Sequence, residues 1–157
     1  MSDGLTSAFR EQPAFREKRD GVFSLDGLDF DGQVTVDGDA AHLHLELPTI
    51  DTAVVGETVA SVVAEGWFET FERRVEDVST AIKGPVGEPR VESEDGTVHV
   101  RIDIEGESIG GSNLAETTRH AANYVEGTWV EGIIPGYDYV SRVQAIRERA
   151  MSTGEEP

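Results

Sequence analysis

The chain has no cysteine. That single absence excludes disulfides, thiolate nucleophiles, cysteine-ligated zinc and iron–sulfur clusters. Lysine is nearly missing too, with Lys18 and Lys83 beside eleven arginines and 31 acidic residues, for a net charge of −18 over 157 residues. No stretch approaches the run of about 18 apolar residues needed to cross a bilayer. Residues 1–20 lack the apolar core of a signal peptide, so the expected location is the cytoplasm and no membrane partner is expected. Nucleic acid is disfavoured as a partner as well, because it is held chiefly by Lys and Arg on phosphates.

What is present in excess is negative charge. Like charges at this density repel one another in a compact state. At about 1 M salt the Debye length falls to roughly 3 Å and the repulsion largely vanishes. The composition therefore reads as that of a halophilic protein from a cell with molar internal salt. With 38% hydrophobic residues grouped in periodic runs, the acidity belongs to a folded surface and not to a disordered chain.

The apolar periodicity predicts one α+β domain over 1–151 with a flexible tail over 152–157. Two short helical turns, about 4–11 and 13–19, carry Phe9 and Phe15 as anchors, and Arg10, Arg16, Lys18 and Arg19 are expected to pair with Glu11, Glu17 and Asp20. From Gly21 to Leu47 the period becomes two, which predicts three strands in an antiparallel meander turned at Asp31-Gly32 and Gly38-Asp39. A slip of parity between Leu25 and Leu28 predicts a β-bulge near Asp26-Gly27. After a short turn or helix carrying Val55, Val59, Val62 and Val63, interrupted at Gly66, the stripe Trp67, Phe71, Val75, Val78, Ile82 predicts a helix that covers the sheet. A hairpin follows, from Arg90 to Ser93 through a Glu94-Asp95-Gly96 turn to Val98, Val100, Ile102 and Ile104, which alternate with polar residues. Asn113 and Glu116 have the spacing of a capping box and open a helix to about Glu126. A last helix spans Tyr139 to Met151. The expected sum is a two-layer fold, ordered α-β-β-β-α-β-β-α, with a five-stranded, mainly antiparallel sheet.

Candidate chemistry is sparse. His42 and His44 alternate on one strand and His99 has the matching outward parity on another, so three imidazoles share a face if the strands are neighbours. Imidazole suits zinc, copper or nickel. Asp26, Asp29 and Asp31 before Gly32 suggest a calcium loop, but the required alignment puts Gly27 first and Gly38 last where oxygen ligands are needed. No Gly-x-Ser-x-Gly elbow is present, and Gly106–Gly111 lacks the lysine ending of a phosphate loop. We therefore assign no catalytic residue, cofactor or metal, and lean away from an enzyme. The segment Trp129 to Tyr139 carries Trp129, Ile133, Ile134, Tyr137 and Tyr139 among glycines. Aromatic anchors in irregular segments suit a partner-binding surface; they serve equally as a seal over an open core edge.

The expected element order resembles the type III secretion chaperone-like fold, which implies a small acidic homodimer holding a protein partner. The phrases Phe9-Arg10-Glu11-Gln12-Pro13-Ala14-Phe15, Gly66-Trp67-Phe68-Glu69-Thr70 and Gly132-Ile133-Ile134-Pro135-Gly136-Tyr137 resemble an uncharacterised family of haloarchaeal proteins, which supplies no catalytic residue. The expected function is a non-enzymatic protein-interaction or chaperone-like module. The alternative is small-ligand or metal-dependent activity near His42, His44 and His99.

Overall fold

The computed structural model describes residues 2–106 and 109–155, with side chains over 5–106 and 109–149. Helix α1 (Ser2–Glu11) leads into strands β1 (Phe15–Arg19), β2 (Val22–Leu25), β3 (Asp31–Asp37) and β4 (Ala40–Pro48). A short helix α2 (Ile50–Ala53) and a two-residue strand β5 (Val54–Val55) precede helices α3 (Ser61–Val75) and α4 (Val78–Ala81). Then come β6 (Arg90–Glu94), β7 (Thr97–Glu105), the long helix α5 (Gly111–Glu131), β8 (Asp138–Tyr139) and α6 (Ser141–Glu155). The fold is α+β, with an antiparallel sheet ordered β1-β2-β3-β4-β7-β6 and a separate β5-β8 pair.

The main sheet has six strands where the periodicity predicts five. The extra strand is β1, over residues expected to be a helical turn. Phe15 is buried and pairs with Leu25 while Arg16 pairs with Ser24, so the segment obeys period two once β2 lies beside it. The turn into β2 uses Gly21 at φ +77°. The charge pairing follows expectation for Arg10 of α1, which grips Glu17 at 2.7 Å and approaches Asp20 at 3.4 Å, but Arg16 meets Asp26 at 2.9 Å and Lys18 donates to Gln33, partners that only strand pairing brings near. The bulge lies between Glu17 and Arg19 and not at Asp26-Gly27, which fall in the β2–β3 loop. Asp31-Gly32 is no turn either; it begins β3, where Gly32 opposes Leu45.

The predicted Gly38-Asp39 turn is present, and the predicted Glu94-Asp95-Gly96 turn is tighter than expected, since Glu94 ends β6 and only Asp95-Gly96 turns. At the second, φ is +49° at Asp95 and +82° at Gly96, the paired positive angles that match the twist of a hairpin. Alternation along β4 and β7 puts Ala41, Leu43, Leu45, Leu47, Val98, Val100, Ile102 and Ile104 on one buried face.

The helices depart further from expectation. Val62 and Val63 already belong to α3, which runs through Gly66 and ends at Val75; α4 is a separate turn. α3 packs chiefly on α5 and α2, while α5 itself lies against β4 and β7 and α1 against β1 and β3. α5 begins at Gly111, two residues before the expected cap, and Asn113 instead donates its side-chain amide to the Ile109 carbonyl at 2.8 Å. Glu107 and Ser108, within the predicted Gly106–Gly111 loop, lie outside the described residues. At the far end α5 passes Gly127 and continues to Glu131. A glycine inside a helix costs about 1 kcal/mol against alanine, and burial of Trp129, in helical register with Ala122 and Val125, outweighs that. α6 continues through residues 152–155, part of the predicted tail; Glu156 and Pro157 lie outside the described residues.

Candidate functional site

The face of the sheet opposite the buried one carries the histidines. β4 and β7 are adjacent and antiparallel, with His42 opposite Asp103, His44 opposite Arg101 and Glu46 opposite His99. Because side chains alternate along a strand, all six stand on the face away from Leu43, Leu45, Val100 and Ile102. The condition for the histidines to meet, strand adjacency, is thus satisfied.

Register divides them. His42 Nδ1 lies 2.7 Å from Asp103 Oδ1, and Arg90 approaches the same carboxylate at 3.6 Å. His44 Nε2 lies 2.9 Å from His99 Nδ1, with the rings stacked at 5.1 Å and inclined by 25°. Glu46 joins the second pair: one donor atom each from His44, Glu46 and His99 lie within 4.8 Å of one another. Among the described residues no other His, Asp or Glu set of three is so close. His120 is exposed on α5, in contact with Arg119. Burial holds the His44 imidazole below the usual histidine range, and the nearby Arg101 charge acts the same way against the pull of Glu46.

Beside this cluster is a hollow of about 340 Å³ whose walls include Arg16, Lys18, Ser24, Gln33, His44 and Glu46. Its two cations share the walls with two carboxylates, Asp31 and Glu46, in a chain with 13 basic residues against 31 acids; Arg16 also meets Asp26 at 2.9 Å and Lys18 donates to the Gln33 side chain at 3.4 Å. Glu46 was legible as a cluster member, since it continues the His42, His44 alternation two residues on.

The Trp129–Tyr139 segment is divided by α5. Trp129 is fully buried in the helix, donates Nε1–H to the Pro48 carbonyl at 2.9 Å and packs edge-on to Phe30 at 4.9 Å. Tyr139 is buried, its hydroxyl donating to the Ile134 carbonyl at 2.6 Å and accepting from the Ile134 amide at 3.0 Å. Ile133, Ile134 and Tyr137 are partly exposed against the core. Ile134 also borders a hollow of about 280 Å³ with Val63, Trp67 and Phe71.

A second polar feature escapes sequence reading. Glu126, 8% exposed on the sheet side of α5, accepts the Phe30 backbone N–H at 2.7 Å. Burial raises its pKa above the ordinary carboxylate value, offset in part by backbone N–H groups of Asp29 and Phe30. An acid between Ala122 and Trp129 in an apolar helical stripe is the signal that could have revealed it. The neighbouring hollow, about 580 Å³, is lined by Asp29, Asp77, Glu126 and Glu131 against Arg74.

No helix among the described residues is long and apolar enough to cross a membrane. Searches of curated proteins and of solved structures return no match. One family model does match, over residues 10–149, which is most of the chain, and on that extent the protein belongs to DUF5813, a family of unknown function.

Proposed function

We propose that this chain is a binding module that works through the histidine-bearing face of its six-stranded sheet and takes a small anionic ligand there. The observation that carries this reading is the hollow whose walls set Arg16, Lys18, Ser24 and Gln33 beside the histidines, where two cations meet only two carboxylates, Asp31 and Glu46, against 13 basic and 31 acidic residues over the chain. In a chain of net charge −18, a site for an anion needs cations concentrated locally, because the rest of the surface repels it. Hydroxyl and amide groups of Ser24 and Gln33 add neutral partners for an oxyanion. The test is titration with inorganic phosphate while backbone amide shifts are followed by NMR. Saturable shifts centred on Arg16, Lys18, Ser24 and Gln33, lost in the Arg16→Ser/Lys18→Ser variant, support the reading. Shifts scattered over the surface, or unchanged in the variant, refute it.

A second reading keeps a protein partner, in the manner of a chaperone-like module or a homodimer. The partly exposed Ile133, Ile134 and Tyr137 favour it, as does the hollow between Ile134 and α3, where Val63, Trp67 and Phe71 are bordered by Arg74 and Glu131. Tyr137→Ala, which removes a partly buried side chain and so lowers the melting temperature somewhat, should then weaken recovery of a companion, or of the dimer, at a temperature where the variant is still folded. The charge balance supports a halophilic, cytoplasmic setting in which molar salt screens the surface.

A further inference from the structure

We propose that His44, Glu46 and His99 form a binding site for a divalent transition metal of borderline softness, Zn²⁺, Co²⁺ or Ni²⁺, on the wall of the outer-face hollow. The proposal rests on the reading of that face as the binding surface and adds what the cluster itself would hold.

Three observations converge. The donor set is two imidazole nitrogens and a carboxylate oxygen, the combination that borderline divalent ions prefer over the all-oxygen shells of calcium and magnesium. The donor atoms lie within 4.8 Å of one another, and the two nitrogens are 2.9 Å apart. A tetrahedral ion with metal–ligand bonds of about 2.0–2.2 Å sets its donors roughly 3.3–3.6 Å apart. Binding therefore exchanges the hydrogen bond between the two rings for two metal–nitrogen bonds: the N–H they share moves to the outer nitrogen of its own ring, the rings turn and part by about half an ångström, and the carboxylate closes on the ion.

The third observation is the backbone. Glu46 and His99 are directly opposed across the ladder, and His44 is one pair along on the same face. Both strands are interior to the sheet, β4 between β3 and β7, and β7 between β4 and β6. The Cβ positions of all three ligands are therefore held by hydrogen-bonded neighbours on both sides, so little ordering is left for the metal to impose. Arg101, opposite His44, opposes the incoming charge, and Glu46 offsets it.

His42 is the internal comparison. It shares the face and the strand, yet its ring is engaged with Asp103, and it lies outside the cluster. Three protein ligands leave a tetrahedral ion one exchangeable position. Since His44 and Glu46 also line the hollow, an oxyanion there can reach that position.

The test uses tag-free full-length protein in molar KCl, titrated with Co²⁺ and read by visible absorption. A tetrahedral nitrogen-containing site absorbs far more strongly than Co²⁺ held octahedrally by water and surface carboxylates, so the 31 acids do not mask it. The expected result is one equivalent bound with a tetrahedral spectrum and displaced by Zn²⁺. Affinity should fall at least about tenfold in His99→Ala and in Glu46→Gln and stay unchanged in His42→Asn and His120→Asn. A melting curve of each apo variant confirms that it is folded. Absence of a saturable tetrahedral signal, or a signal indifferent to His99→Ala, overturns the proposal. Saturable phosphate shifts with no tetrahedral Co²⁺ signal overturn the metal site alone; Co²⁺ binding without phosphate shifts overturns only the anion reading of the hollow.

Discussion

Replacing Glu126 gives a prediction whose sign and size both follow from the packing. Its carboxylate holds the Phe30 amide at 2.7 Å, across 96 residues of sequence, and both residues are buried. Glu126→Ala leaves that donor without a partner, at about 1–3 kcal/mol. For a domain of this length each kcal/mol moves the melting temperature by about 2–4 °C, so a fall of roughly 2–12 °C is expected. Glu126→Gln retains an acceptor oxygen and should be the milder change. The two also separate through pH. Burial raises the folded pKa of Glu126 above the unfolded value, which is about 4.3. A group shifted in that direction adds stability that is full below the unfolded pKa and is lost as pH rises through the folded one. Melting temperatures from pH 4 to 7 in molar KCl, where general charge repulsion is screened, should therefore fall more steeply for the natural protein than for Glu126→Gln. Equal slopes, or a Glu126→Ala variant as stable as its parent, would refute the argument.

Other expectations follow from single contacts. Gly106→Ala would set a Cβ 2.8 Å from the Asp39 carbonyl oxygen and 2.7 Å from Leu114, and should cost about 1–3 kcal/mol as overpacking. Gly127→Ala meets nothing within 4 Å on a helix and should stabilise by about 0.5–1 kcal/mol; denaturant midpoints of the two variants should move in opposite directions. Trp129→Phe, which loses the hydrogen bond to Pro48, should lower stability by at least about 1 kcal/mol in a urea titration. Lowering KCl from about 1 M to 0.1 M lengthens the Debye length from roughly 3 Å to 10 Å and should lower the melting temperature; indifference to salt would contradict the halophilic reading.

The strands β3, β4, β6 and β7 and their Gly38-Asp39 and Asp95-Gly96 turns were legible because a half-buried strand writes its two faces into the sequence as alternation, and a tight hairpin demands particular residues. The parity of His42, His44 and His99 followed from the same rule. Phe15–Arg19 was not legible: five residues with one buried side chain carry too little pattern, and only pairing with Val22–Leu25 makes them a strand. Nor could local sequence place Trp129. Gly127 reads as a stop, yet continuation of α5 is decided by what the helix buries against β4 and against Trp67 and Phe30.

Composition and periodicity by themselves determined the absence of thiol chemistry, the acidic surface, the α+β class and which side chains of the alternating strands β4 and β7 face solvent, since these depend on residue type and on neighbours along the chain. Strand order, register and helix ends were decided only in the tertiary structure. They depend on contacts between residues far apart in sequence, such as Glu126 with Phe30 or Glu46 with His99. The separation of His42 from His44 and His99 is the sharpest instance: one step of the ladder gives the first an aspartate for a neighbour and brings the other two together.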